Sequence, residues 1–324
     1  MGCPPRAVMV ARSPAIDPAR LRAHVQALEG ERHARCSPGA LASAEAYVAG
    51  CLSRAGLEME RHTFRFRGRE FSNVVGRQPG RDSTRPRILV GAHIDTVVGT
   101  PGADDDASGV AVLLEVARCL AGLEFEATLE WVAFNLEERQ GWTYRVGSRH
   151  FVRASRRAGI RYGGCLILEM VGYTDASPGT QRVPLLLRGK AIPESGTFLS
   201  ATGDRRSRRL LRRFRAAAAR AAPDLGVVTV RVPLRGWPLL PTRWSDHASF
   251  WSARQPALLL TDTAFLRNPH YHGQSDRTET LDFEFMRQVA VVTMETVREL
   301  ATPAGLATDP SEPRRRRSSG STHD

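Results

Sequence analysis

The sequence has few cysteines, and no two of them form a C-x-x-C pair. The five cysteines are spread widely over 324 residues, at Cys3, Cys36, Cys51, Cys119 and Cys165. Small disulfide scaffolds use an even number of cysteines at regular spacings. The spacing therefore argues against a disulfide framework, although it allows a single bridge.

Long hydrophobic runs are also absent. No segment approaches the roughly 20 consecutive apolar residues that a membrane-spanning helix needs. The N-terminal stretch MGCPPRAVMVARSPAIDP has no apolar core of the kind found in a secretory signal. We therefore expect a cytoplasmic protein without a membrane segment.

Lysine is almost absent, yet the chain is strongly basic because it is rich in arginine. The formal net charge is +12 and the isoelectric point is about 10.5. Such a charge suits a nucleic-acid partner, but the arginines are scattered and no nucleic-acid-binding motif accompanies them. We interpret them as a solvated arginine-rich surface and expect no nucleic-acid partner. Binding of nucleic acid through this surface stays an alternative.

The remaining pattern is that of an α/β protein. Hydrophobic residues make up 42% of the chain, enough for one large domain or two small ones. Helical periodicity begins at Asp17–Pro18 and again after Ser43, and strand-like apolar runs alternate with further helices up to a long helix near residue 302. We predict a sandwich around a largely parallel sheet, with a flexible lead-in at 1–16, one domain at 17–302 and a disordered basic tail at 303–324.

Polar side chains follow several of the predicted strands. His93 ends the strand that contains Ile88–Val90, Glu137 and Glu138 follow WVAF, and Glu169 follows CLIL. In open α/β sheets, ligands bind beyond the carboxyl ends of the strands. Carboxylates at such a buried edge need a proton or a cation, and carboxylate oxygens with imidazole and no thiolate suit a catalytic zinc ion.

Three consecutive aspartates, Asp104, Asp105 and Asp106, raise the same question of charge. Like charges this close repel one another. If one of them bridges two divalent metal ions, the cations offset several carboxylates at once. The triplet lies inside PGADDDASG, just before a predicted apolar helix.

Six stretches together resemble a known family. They are GAHIDT, PGADDDASG, NLEERQGW, LEMVGY, SDHASFW and NPHYHGQSDRTETLD, and they cover roughly Ile88 to Met286 in the family order. The sequence is similar to the di-zinc exopeptidases of metallopeptidase family 28, which include bacterial aminopeptidases, glutamate carboxypeptidases and glutaminyl cyclases. The resemblance implies a three-layer αβα sandwich around a mixed, mostly parallel sheet, and two Zn²⁺ ions per chain.

The resemblance also implies which residues bind the two ions. The implied metal ligands are His93, Asp105, Glu138, Glu169 and His272. Asp105 bridges the ions, His93 and Glu169 bind the first, and Glu138 and His272 bind the second. The family commonly has an aspartate where this chain has Glu169.

Three further residues take catalytic or supporting roles by resemblance. Glu137 is the general base that takes a proton from the bridging water. Asp95 orients His93, and Tyr271 donates a hydrogen bond to the developing oxyanion. A cis peptide bond between Asp105 and Asp106 would aim Asp105 at both ions, while Asp104 and Asp106 turn toward the amides of the helix start.

Neighbouring histidines and aromatic residues complete the expected site. His247 of SDH and the weaker candidate His270 compete with His272 for the last ligand position, and we place His247 in the pocket wall or just outside the metal ligands. The aromatic residues expected to shape an apolar substrate pocket, or else to pack in the core, are Trp237, Trp244, Phe250 and Phe265.

The expected activity is that of a zinc aminopeptidase acting on a peptide or small amide. A glutaminyl cyclase or a carboxypeptidase on the same scaffold is an alternative. A non-catalytic module is disfavoured because no ligand and no base of the family pattern is missing. The sequence leaves the oligomeric state open.

Overall fold

A computed structural model describes residues 15–139, 143–184 and 191–302. The predicted tail at 303–324 and nearly all of the predicted lead-in at 1–16 lie outside these residues. Among the described helices, none is long and apolar enough to cross a membrane. Four of the five cysteines are described, and all four are free thiols.

Seven α-helices and eight strands make up most of the regular structure of the described residues, beside short 3-10 and π-helical turns. The helices are α1 (Pro18–Leu28), α2 (Pro38–Arg54), α3 (Gly109–Leu120), α4 (Val146–Arg157), α5 (Arg208–Ala221), α6 (His247–Ser252) and α7 (Phe283–Ala301). The strands are β1 (Glu58–Phe66), β2 (Arg69–Gln78), β3 (Arg87–His93), β4 (Leu129–Phe134), β5 (Tyr162–Leu168), β6 (Phe198–Gly203), β7 (Gly226–Arg231) and β8 (Ala257–Thr261).

The strands form one mixed sheet in the order β1-β2-β4-β3-β5-β8-β6-β7. The four central strands β4, β3, β5 and β8 are parallel, and β6 pairs with β7 in parallel. The pairs β1–β2, β2–β4 and β6–β8 are antiparallel. This agrees with the expected mixed, mostly parallel sheet, and it brings the carboxyl ends of the central strands to one edge.

Both faces of the sheet are covered, as the period-two pattern of the strands requires. On β3, Ile88 and Val90 pack in the core beneath α1, α2, α3, α5 and α7, whereas Leu89 packs in a second core with α4 and α6. On β4, Trp131 likewise packs in the first core and Val132 in the second. The result is the expected three-layer αβα sandwich.

Helix starts follow their capping signals, with one correction. Asp17 accepts a hydrogen bond from the amide of Ala19 and precedes Pro18, as predicted. The second helix was expected to begin at Ser43, but it begins at Pro38 after Ser37. Proline is favoured in the first turn of a helix, and the Ser43 hydroxyl donates back to the carbonyl of Gly39 within the helix.

Two elements were not predicted, β6 and α6. The strand FLSATG is half polar because Ser200 and Thr202 face a cavity beside the sheet. The helix HASFWS has only six residues. Segments this short carry too few repeats for a periodicity to stand out.

Gly147 is held against the loop that follows β4. A Cβ atom there would lie 2.1 Å from the carbonyl oxygen of Asn135 and 2.4 Å from Oδ1 of Asn73. The Asn73 side chain accepts from the amide of Asn135 and donates to the carbonyl of Gly147. This contact joins β2, the end of β4 and the start of α4, and it sets the path of the segment that carries Glu137.

We predict that Gly147→Ala lowers the free energy of unfolding by about 1–3 kcal/mol, because overpacking displaces the Asn73 contacts. Denaturant unfolding measures the change. Gly39→Ala is the matched control, since Gly39 lies in the first turn of α2 with nothing within 4 Å of its Cβ position. It should leave stability unchanged or slightly higher. Equal effects of the two substitutions would contradict the steric explanation.

Candidate metal centre

The predicted strand-end residues do meet at one edge of the sheet. His93 is the last residue of β3, Glu137 and Glu138 follow β4, and Glu169 follows β5 directly. His93, Glu137 and Glu138 are buried, and Glu169 is partly exposed. The parallel arrangement of β4, β3 and β5 is what brings these four side chains together.

Asp105 lies between two histidines, and each of its carboxylate oxygens faces one of them. Oδ1 is 3.0 Å from Nε2 of His93, and Oδ2 is 3.1 Å from Nε2 of His272. Glu169 Oε1 is 3.4 Å from the same nitrogen of His93, and Glu138 Oε1 is 3.3 Å from that of His272. The carboxylate of Asp105 is therefore shared by two sets of potential ligands.

These contacts form two three-residue groups whose ligand atoms lie within 4.8 Å of one another. One group contains His93, Asp105 and Glu169, and the other contains Asp105, Glu138 and His272. A third combination, His93 with Glu137 and Glu138, places Glu137 beside both groups. Two imidazole nitrogens and several carboxylate oxygens, with no thiolate, fit zinc better than a purely oxygen-binding cation.

The neighbouring aspartates turn away from Asp105 and bind backbone amides. Asp106 accepts from the amides of His93, Gly109 and Met170. Gly109 starts α3, so Asp106 behaves as expected. Asp104 does not, because it accepts from the amide of Gly172 and the side chain of Asn268 rather than from the helix start.

The peptide bond between Asp105 and Asp106 is cis, as the resemblance implied. The backbone of Asp104 and Asp105 is also fixed by Asp276. Their amides donate to its two carboxylate oxygens at 2.8 and 3.2 Å. Each aspartate of the triplet thus has its own set of contacts. Only Asp105 directs its carboxylate to the two histidines.

Asp95 contacts His93 through its main chain more closely than through its carboxylate. His93 Nδ1 lies 3.0 Å from the carbonyl oxygen of Asp95 and 3.7 Å from its Oδ1. The carboxylate instead accepts from the amides of Glu137 and Glu138, at 2.9 and 3.1 Å. Asp95 therefore positions both glutamates and His93.

The electrostatics of the site favour cations. Burial and the neighbouring charge of Glu169 raise the pKa of Glu137 well above its ordinary value. Burial and the charge of Asp105 raise the pKa of Glu138 to about 7. Glu137 Oε1 and Glu169 Oε2 are buried without a hydrogen-bond partner among the described residues. Buried carboxylates that lack donors are stabilised when they bind a metal ion.

His272 also reflects the density of negative charge. Burial alone would lower its pKa, but hydrogen bonds to Asp105 and Glu138 raise it to about 10. The ring of Tyr271 stacks on the His272 ring with 3.8 Å between centroids. Tyr271 is therefore next to the site, in reach of a group bound there.

Neither rival histidine joins a ligand group within the described part of the chain. His247 is fully buried at the start of α6, where Nε2 is 2.8 Å from the carbonyl oxygen of Thr242 and the ring packs on Trp251. His270 is 2.9 Å from the hydroxyl of Ser275. His247 is thus held in the interior by Thr242 and Trp251, and its expected place near the pocket stays a prediction.

An apolar cavity of about 360 Å³ opens beside the metal ligands. Glu169 and Tyr271 line it together with Trp244 and Phe265, and strands β6, β7 and β8 form its floor. Two of the four aromatic residues expected there are thus present. Phe250, which belongs to α6, instead packs in the second core, and Trp237 is 58% exposed and lines a different cavity.

Sequence reasoning missed three buried aspartates around the site, Asp246, Asp262 and Asp276. Asp262 follows β8 directly, so the strand-end argument applied to it as well. It accepts from the amides of Tyr173 and Ala264. Asp246 stands beside His247 in the quoted SDH motif, and both of its carboxylate oxygens lack a partner among the described residues. For Asp276 no local signal was available.

A family model of known proteins decides the classification. The model described as Peptidase family M28 matches residues 73–297, more than half of the chain. The chain belongs to peptidase family M28. The matched region contains every residue of the two ligand groups.

Two curated relatives are similar to this chain. The Escherichia coli K12 protein YfbL is 33% identical over 233 residues, which is 68% of this chain and 69% of that protein. A probable zinc metalloprotease from the fungus Pyrenophora teres f. teres is 28% identical, and the match covers 74% of this M28 chain but only 50% of the fungal one. The chain therefore spans about half the length of that relative.

Solved structures share the fold. The Legionella pneumophila LapA aminopeptidase superposes with a TM-score of 0.69 at 22% identity, covering 89% of this chain and 72% of LapA. The Tannerella forsythia glutaminyl cyclase gives a TM-score of 0.64 at 20% identity, covering 88% of this chain and 99% of the cyclase. Identities this low establish the M28 fold of the chain and not its substrate.

We predict that Asp95→Asn weakens zinc binding by about 10- to 100-fold, the usual effect of losing a residue that orients metal ligands. The substitution replaces one acceptor oxygen by an NH₂ group. This group is a donor, so it cannot accept the hydrogen bond from the amide of Glu137 or Glu138. Competition with a chelating dye measures the affinity. Asp82→Asn, in an exposed turn, removes the same charge and should have no effect. Unchanged affinity in Asp95→Asn would show that the glutamates do not depend on this carboxylate.

Proposed function

We propose that the protein is a zinc-dependent aminopeptidase that removes an apolar residue from the N-terminus of a peptide. The observation that supports this best is the position of Asp105, which presents one carboxylate oxygen to each of the two ligand groups next to Glu137. Such a shared carboxylate is suited to a pair of metal ions, as in two-metal hydrolases.

The residues that would hold the ions are those of the two groups. His93 and Glu169 would bind the first zinc, Glu138 and His272 the second, and Asp105 both. Bound zinc supplies Lewis acidity, which polarises a carbonyl group and makes water a stronger acid.

Glu137 is placed to move the proton. Its backbone amide is held by Asp95, its side chain is only slightly exposed, and its Oε1 has no partner among the described residues. A carboxylate in this position accepts the proton of the attacking water and delivers it to the leaving amine. Burial favours its protonated form, which suits the second half of that transfer.

Glu169 and Tyr271 would bind the two ends of the reacting residue. Oε2 of Glu169 is buried without a hydrogen-bond partner among the described residues and would accept from the substrate's α-ammonium, with Glu137 as a second acceptor. The hydroxyl of Tyr271 is available to donate to the oxyanion that forms on the scissile carbonyl. Glu169 would thus act on the amino end of the substrate, and Tyr271 on the bond that is cleaved.

The apolar cavity supports a preference for an apolar first residue. Trp244, Phe265 and Leu259 line it, and its 360 Å³ are sufficient for a large side chain. Arg182 also borders it, but the Arg182 guanidinium donates to the carbonyl of Phe265. Arg182 is the only cationic side chain among the described residues that line this cavity, so the cavity suits an apolar side chain better than a terminal carboxylate.

Glutaminyl cyclase activity is the second candidate, because the Tannerella cyclase is matched over nearly its whole length. The two reactions differ in product. A cyclase releases ammonia from an N-terminal glutamine and leaves the peptide bond intact, whereas an aminopeptidase releases the first residue. The presence of both complete ligand groups favours hydrolysis by a metal pair.

We predict that metal-free protein regains hydrolysis of leucine p-nitroanilide with two equivalents of zinc per chain. The N-acetylated anilide should not be hydrolysed, because it lacks the α-ammonium that Glu169 binds. The absorbance of released p-nitroaniline measures hydrolysis, and metal analysis measures the zinc bound per chain. Full activity with one equivalent would contradict the metal pair. Ammonia release from glutaminyl peptides without anilide hydrolysis would favour the cyclase.

We predict different consequences for the adjacent glutamates. Glu137→Gln should keep both zinc ions and lose activity by about 100-fold or more, as expected for a missing general base. Glu138→Gln should retain only one zinc ion after dialysis, because it weakens the group that contains His272. Each variant serves as the control for the other. Equal metal loss in both would mean that base and ligand are wrongly assigned.

A further inference from the structure

A second and larger cavity, the arginine groove, lies between α4 and α6. Its volume is about 690 Å³. It is lined by Arg145, Arg149, Arg153, Arg156, Arg157 and Arg243. No aspartate or glutamate is among the described residues that line it.

Four of these arginines project from one side of α4. Arg149, Arg153 and Arg157 are four residues apart, and Arg156 is three residues beyond Arg153, so all four lie on one face of the helix. Like charges at this spacing repel and destabilise a helix. All four side chains are exposed, and none forms an ion pair within the part of the chain that the structure describes. Their arrangement therefore favours an anionic ligand.

The other two arginines are buried at the inner side of the groove. Arg145 is 8% exposed, its guanidinium lies over the Tyr144 ring, and its Nε has no hydrogen-bond partner among the described residues. Arg243 is 4% exposed and donates to the hydroxyl of Ser252. Burial, and then the charge of Arg145, lower the pKa of Arg243. Buried positive charge with an unsatisfied donor is stabilised by a carboxylate.

A backbone hydrogen bond joins one residue of the groove to the proposed general base. The amide of Arg145 donates to the carbonyl of Glu137 at 2.7 Å. On the other side, Arg243 faces the groove while its neighbours Thr242 and Trp244 line the apolar cavity. One loop therefore separates the cavity for the first residue from the groove.

The proposed chemistry sets the direction of the peptide. The leaving amine must lie within hydrogen-bond reach of Glu137 to receive its proton. The chain downstream of the scissile bond therefore begins at Glu137, next to Arg145. An extended peptide advances about 3.3 Å per residue, so a peptide that continues past Arg145 would bring its next few side chains toward the groove.

We propose that the arginine groove binds acidic side chains of the peptide substrate downstream of the scissile bond, so that the enzyme prefers peptides with aspartate or glutamate in these positions. This rests on the proposed aminopeptidase function. Guanidinium groups bind carboxylates in paired hydrogen bonds. Nucleic acid is a poorer candidate, because a duplex backbone does not reach charges as deep as those of Arg145 and Arg243.

The test compares three pentapeptides that begin with Leu-Ala and continue with Asp-Glu, Asn-Gln or Lys-Lys before a final alanine. The zinc-loaded full chain should cleave the acidic peptide at least 10-fold better in kcat/KM than the amide peptide, and the basic peptide worst. The advantage should shrink with added salt, since exposed charges are screened.

Two triple variants, each of which loses three arginines, distinguish an effect of the groove from an effect of net charge. In Arg149→Gln/Arg153→Gln/Arg156→Gln the ratio of acidic to amide peptide should fall close to one. In Arg205→Gln/Arg206→Gln/Arg208→Gln, at exposed positions at and before the start of α5, the ratio should be retained. The ratio is taken within each protein, so a weakened fold does not imitate the result. A ratio of one in the unmodified enzyme, or equal losses in both variants, would overturn the proposal.

Equilibrium binding keeps the two proposals apart. The Glu137→Gln protein should bind the acidic pentapeptide more tightly than the amide peptide, measured by calorimetry, whether or not the unmodified chain hydrolyses either. If no peptide is cleaved, the aminopeptidase proposal fails, and the binding measurement alone decides whether the groove prefers acidic peptides. If a short DNA duplex binds through the groove arginines and the two peptides bind equally, the acidic-peptide proposal is wrong.

Discussion

The buried negative charge at the carboxyl ends of β4, β3 and β5 is the constraint on which the rest of the site depends. Asp95, Asp104, Asp105, Asp106 and Glu137 are all buried within this small region. Carboxylates in such surroundings are stable only when donors or cations surround them. The protein uses both, and the two kinds of partner divide the carboxylates into two classes.

The first class binds backbone amides and thereby determines the shape of the loops. Asp95 holds the turn with Glu137 and Glu138, Asp106 ties the ends of β3 and β5 to α3, and Asp276 holds the turn at Asp104. The second class, to which Asp105 belongs, faces imidazoles and other candidate metal ligands instead of amides. Loop geometry and metal binding therefore have a common cause, since carboxylates satisfied by amides fix the positions of those that are not.

Sequence reasoning recovered the parts of this arrangement that depend on strand periodicity. His93, Glu137 and Glu169 each follow an apolar run, and parallel strands must bring such residues to one edge. His272 and Asp105 carry no such signal, because they lie in irregular loops that approach the sheet only through tertiary contacts, and the family resemblance was needed to assign them. The start of α2 was misplaced because a weak serine cap was preferred to Pro38. The short elements β6 and α6 have too few residues for a clear pattern.

The fold also explains why the two cavities can serve different parts of one substrate. They are separated by the loop around Thr242 to Trp244, whose successive residues face opposite sides. One side is apolar and borders Glu169, and the other is cationic and borders the segment that carries Glu137. A peptide bound across the metal centre would meet apolar walls before the scissile bond and arginines after it. The hydrogen bond from the Arg145 amide to the Glu137 carbonyl fixes this part of the cationic side next to the proposed general base.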